Sequence, residues 1–101
     1  MAETKAQRFA RCFHSAEFVE FTQRQPCSVG GCTFGPIECA HNPSRGAGGT
    51  WEDISPLCSF HHRMQHTVGV ETFQRKLYVD LRETNAAHAE RWRLRQEGLA
   101  E

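Results

Sequence analysis

The chain has 101 residues, with twelve lysines and arginines balanced by twelve acidic residues for a formal net charge of zero. A length of this order suits one domain and excludes a second, and folding then buries only roughly 60–70% of the unfolded chain's surface, so the core is modest and a staple would help. Balanced charge gives a nucleic-acid partner no bulk support and leaves any basic face to local residues such as Arg45, Arg63, Arg75 and Lys76, while no apolar run approaches the ~20 residues that span a bilayer.

Residues 1–12 are polar and mixed in charge, with Phe9 and then Phe13 as bulky anchors, and read as a frayed arm or short helix with little function. Residues 16–25 bring Phe18, Val19 and Phe21 together ahead of Pro26, which fits a short helix. The stretch Pro26–Cys32 is a tight turn between two cysteines, and its glycines supply the backbone freedom of a knuckle. Ile37–His41 reads as a short strand. From Asn42 to Thr50 glycine, proline and small polar residues preclude regular structure, and Ile54–Leu57 follows as a second strand closed by Pro56.

From Ser59 the pattern turns helical, with His62, His66, Val70, Phe73, Leu77 and Leu81 at three- or four-residue steps and an interruption at Gly69. The order strand, loop, strand, helix defines an α+β class. The residues after 82, with Trp92 and Leu94, read as an amphipathic helix without chemistry of its own. The division is therefore an arm at 1–15, a working domain at 16–82 and a helical tail at 83–101.

Five cysteines, at 12, 27, 32, 39 and 58, are an odd number, and the polar opening Met1–Cys12 lacks the apolar segment of a secretory leader. A reducing, cytoplasmic setting is expected, in which clustered cysteines and histidines point to metal rather than disulfides. Cys27-x4-Cys32 and Cys58-x2-His61 are two ligand pairs separated by strand, loop and strand, and tetrahedral zinc takes four such donors. A structural Cys3His zinc is expected, the alternative being thiols that merely pack. Cys12 and Cys39 read as small buried or half-buried hydrophobes, Cys39 sharing a strand face with His41.

Four of the six histidines lie between 41 and 66. On a helix His61 and His62 are about 100° apart and face different ways, whereas His62 and His66 are one turn apart on one face. His61 can then join Cys58 at zinc while His62 and His66 hold a second metal, as i, i+4 pairs do in metallohydrolases. Two surface histidines on an amphipathic helix are the alternative.

Taken together, Pro26-Cys27-x4-Cys32, Ala40-His41 and Asp53-Ile54-Ser55-Pro56-Leu57-Cys58-x2-His61-His62-x3-His66 resemble the zinc-knuckle HNH endonucleases of bacteria, phages and prophages, over about residues 16–80. The resemblance implies a ββα-metal core flanked by N- and C-terminal helices, with 16–82 as the nuclease domain. It implies His41 as general base, Asp53 in the central asparagine position, and His62 and His66 on a catalytic Mg2+, Mn2+, Ni2+ or Zn2+ ion. From the antiparallel partner strand Asp53 is expected to hold the His41 ring in its productive tautomer, the alternative being a turn residue that caps the second strand. Cys27, Cys32, Cys58 and His61 match the structural zinc knuckle. Arg45 and Arg63 are the expected contacts to the DNA backbone, and cleavage with weak sequence preference would leave 5′-phosphate and 3′-hydroxyl ends. RNA is left open as a second substrate, as is the oligomeric state. The chain departs from the family where Ala40 replaces a metal-binding Asp or His and where His61 replaces the knuckle's last cysteine. His41 as a metal ligand, a non-catalytic zinc-binding nucleic-acid module and a zinc-stabilised protein-interaction domain are the competing readings.

Overall fold

Thr4 and Gln7 cap each other's backbone amides and open helix α1 (Lys5–Phe13), so the arm is ordered from its first turn. The structure, a computed structural model, describes residues 2–99; Met1, Ala100 and Glu101, at the outer ends of the arm and the tail, lie outside the described residues. Ser15 accepts from the Phe18 amide at 3.1 Å and starts α2 (Ala16–Gln23), which buries Phe18, Phe21 and Thr22. After the cysteine knuckle, β1 (Ile37–His41) pairs antiparallel with β2 (Ile54–Cys58), setting Ile37 opposite Cys58 and His41 opposite Ile54. Two single 3-10 turns, Arg45–Ala47 and Trp51–Asp53, punctuate the loop between the strands.

Helix α3 (Ser59–Val68) leaves directly from β2 and stops at Gly69, whose φ of 86° is the left-handed backbone that the sequence interruption required. Helices α4 (Val70–Leu77) and α5 (Leu81–Gln96) complete an α+β fold around a two-stranded sheet. No helix among the described residues is long and apolar enough to cross a membrane.

The second strand does not close at Pro56. Its carbonyl accepts from the Ser28 amide and hydroxyl, each at 2.8 Å, so the imide nitrogen on that same edge faces away from β1 and removes no ladder bond. One core cluster, with Ala40, Leu57, Cys58 and Phe73, packs beside the knuckle; a second gathers Phe18, Phe21, Ile54 and Trp92.

The boundary expected after residue 82 falls inside α5, whose Asn85, His88, Ala89 and Trp92 are all buried. Asn85 donates to the Asn42 carbonyl at 2.8 Å and accepts from the Ser55 hydroxyl at 2.5 Å. The tail thus anchors the backbone beyond His41. Its inward polar residues blurred the apolar stripe on which a sequence reading depends.

His88 is 1% exposed, stacked on Phe21 with ring centroids 5.3 Å apart. The Thr22 hydroxyl donates its hydrogen to the Phe18 carbonyl, so His88 Nε2, 2.8 Å from the Thr22 hydroxyl oxygen, donates to that hydroxyl, and Nδ1 is buried with no partner. Burial pushes its pKa down to about 4. The unfolded imidazole, near pKa 6.5, binds the proton that the folded one refuses, so stability is complete above about pH 6.5 and is lost as pH falls toward 4. Urea midpoints at pH 7 and pH 5 should therefore fall farther for the parent than for His88→Gln, which also cancels the acid lability of other groups; equal falls contradict this account.

Candidate functional site

Cys27, Cys32, Cys58 and His61 bring one donor atom each into a cluster whose members all lie within 4.8 Å of one another. Cys32 Sγ is 3.8 Å from Cys58 Sγ, and His61 Nδ1 is 3.3 Å from Cys58 Sγ and 3.5 Å from Cys27 Sγ. Tetrahedral zinc with Zn–S near 2.3 Å sets its sulfurs about 3.8 Å apart, so the donors fit that ion. Burial pushes the Cys27 thiol up to about 11. Cys32 is lowered, first by a hydrogen bond from the Phe34 backbone.

Cys58 also caps α3. Its sulfur accepts from the His61 amide at 3.4 Å, which fixes the phase of the helix at its first turn. With His61 turned into the donor cluster, His62 and His66 emerge on another face, their Nε2 atoms 3.2 Å apart. The adjacent histidines thus point to different faces of α3, as helical spacing led one to expect.

Apart from this cluster, a cleft of about 370 Å³ collects His41, His62 and His66 with Phe13, Cys39, Ser44, Arg45 and Gly46. Three elements and the interstrand loop contribute to it. Arg45 lies 5.4 Å from the Phe13 ring centroid, and Phe13 meets His41 edge-on at 5.1 Å. Arg63 is exposed on α3 and does not line the cleft.

His41 is 8% exposed, and its Nε2 lies 2.7 Å from the Cys12 carbonyl. A carbonyl only accepts, so Nε2 carries the hydrogen and Nδ1 the lone pair. Burial is the main cause of a lowered pKa; the Cys12 carbonyl opposes it, Arg45 adds to it, Asp53 opposes it and His62 adds to it. The arm was expected to carry little function, yet α1 supplies the group that orients this ring.

Asp53 was expected to hold that ring. Its carboxylate instead accepts from the Thr50 amide at 2.9 Å and the Thr50 hydroxyl at 3.3 Å, closing the turn before β2, while its carbonyl accepts from the Asn42 amide at 2.9 Å. Asp53 therefore acts as a turn cap, reaching His41 only through space. Ala40 is 2% exposed within the core and presents no ligand. The residue that the sequence reading missed is Glu38, whose Oε1 lies 2.7 Å from His62 Nδ1. Strand alternation, which puts Glu38 on the face of Ala40, was the available signal.

No family model, curated protein or solved structure matches this chain.

The purified protein should carry one tightly bound zinc per chain by elemental analysis. His61→Ala and Cys58→Ser should each bring zinc below half an equivalent and lower the melting temperature, since structural zinc contributes roughly 10 kcal/mol or more to such sites. His62→Ala should leave both values at the parent level, because its ring lies outside the donor cluster.

Proposed function

We propose that the chain is an HNH endonuclease of the ββα-metal type that hydrolyses DNA phosphodiester bonds with weak sequence preference and is stapled by one zinc on Cys27, Cys32, Cys58 and His61. The observation that carries this reading is the cleft joining His41, His62, His66 and Arg45 within a strand, loop, strand, helix order. Phosphodiester hydrolysis needs an in-line water relieved of its proton and positive charge on the phosphate and the leaving oxygen. These residues supply both.

His41 takes the water's proton at Nδ1, the atom left with a lone pair by the bond from Nε2 to Cys12. The resulting positive ring is opposed by burial and supported by that carbonyl at the C-terminal end of α1. The convergent Nε2 atoms of His62 and His66 fit a divalent cation, Mg2+, Mn2+, Ni2+ or Zn2+, with water and substrate phosphate as its other ligands. Held there by His62 and His66, such a cation would supply Lewis-acid stabilisation of the phosphate and of the departing 3′ oxygen. Arg45, and outside the cleft Arg63, neutralise the DNA backbone. Products are 5′-phosphate and 3′-hydroxyl ends.

Ala40 favours a second reading, a nucleic-acid module that retains the frame without the chemistry. A plasmid nicking assay with Mg2+, Mn2+ and Ni2+ separates the two. Cleavage by the parent should fall at least about a hundredfold in a His41→Ala variant that still folds, the usual share of a general base. Absence of metal-dependent nicking by the parent favours the second reading, and undiminished cleavage by His41→Ala removes His41 as base. Because His41 ionises below the ordinary 6.5, the base is already neutral there, so at saturating metal the acidic fall in rate should lie below pH 6.5.

A further inference from the structure

His62 is held at both ring nitrogens. Nδ1 is 2.7 Å from Glu38 Oε1, and Nε2 is 3.2 Å from His66 Nε2, with the two rings tilted by 46°. An ionised carboxylate only accepts, so Nδ1 bears the hydrogen and Nε2 is left with a lone pair directed at His66. Two nitrogen ligands at about 2.0–2.1 Å from a tetrahedral cation stand about 3.3 Å apart, close to the separation found.

We propose that Glu38 is a positioning residue that locks His62 in the Nδ1–H tautomer and aims its Nε2 at a cation shared with His66. This rests on the reading of those two histidines as cation ligands. The Glu38 and His62 side chains are 45% and 21% exposed, so the pair serves orientation more than folding. Orientation matters here because only two imidazoles hold the ion. The carboxylate raises the basicity of one and removes the wrong tautomer, the arrangement by which outer carboxylates tune metal-bound histidines. Glu38 stands two residues before Ala40 on the same strand face, so a carboxylate reaches His62 from a position adjoining the one that supplies no ligand.

The test is Co2+ titration of the zinc-loaded chain, followed by visible absorption, in the parent, Glu38→Ala, Glu38→Gln and His66→Ala, with 15N spectra reading the His62 tautomer before Co2+ is added. Glu38→Ala should weaken Co2+ binding 10–100-fold and shift His62 from Nδ1–H toward Nε2–H. Glu38→Gln, which keeps an acceptor oxygen, should lose less, and zinc content and melting temperature should stay at parent values in both. Parent-like Co2+ affinity or tautomer in Glu38→Ala overturns the role of Glu38 while leaving the cation reading intact. Loss of melting temperature in both variants overturns it as well, by making the role structural. A parent that takes up no second ion, or a His66→Ala variant that binds Co2+ as the parent does, overturns the cation reading and the proposal with it.

Discussion

Cys58 ends a strand, caps a helix and contributes a sulfur to the four-donor cluster, and these three duties share one backbone position. Register sets it opposite Ile37, its sulfur receives the His61 amide, and the angular phase of α3 follows. Because the cap is also a donor, the helix cannot rotate without moving a sulfur away from His61 Nδ1. The directions of His62 and His66 are thereby set by a residue that touches neither. A small chain with a modest core obtains through this one side chain a rigidity that apolar packing would supply only in part.

Around this joint the two apolar clusters divide the work. The knuckle-side cluster takes in Ala40, Leu57 and Phe73, and the aromatic cluster couples α2 to α5 through Phe18, Phe21 and Trp92. Between them the sheet is thin, two strands of five residues each, so its ends depend on groups supplied by helices. Asn85 and Cys12 perform that service on either side of His41, one for the next residue's carbonyl and one for the ring itself.

The parts of the site legible in the sequence were those encoded by spacing. Cys27-x4-Cys32 and Cys58-x2-His61 announced the donor cluster, and the 100° step of a helix separated His61 from His62. What escaped was carried by backbone groups or by inward polar side chains. The Cys12 carbonyl has no residue signature, since any amino acid presents one. Asp53 looked like a partner for His41 because it precedes a strand paired with that residue, but Thr50, three positions earlier, offered its carboxylate two local donors. Glu38 resembled an ordinary solvent-facing strand charge. In α5 the buried Asn85 and His88 interrupted the apolar periodicity that marks a packed helix, so a core element passed for a tail.

The bracketing of His41 and Asn42 by α1 and α5 also bears on when the cleft takes shape. Synthesis delivers α1 and both strands early, but Asn85 and Trp92 arrive with the final helix. Until α5 has cleared the ribosome, the Asn42 carbonyl and the Ser55 hydroxyl lack the partner that ties them together, and the aromatic cluster lacks Trp92. The four donors of the knuckle are complete once His61 has been made, whereas the loop that follows His41 lacks Asn85 until α5 is added, so the donor set is synthesised before the groups that hold the cleft.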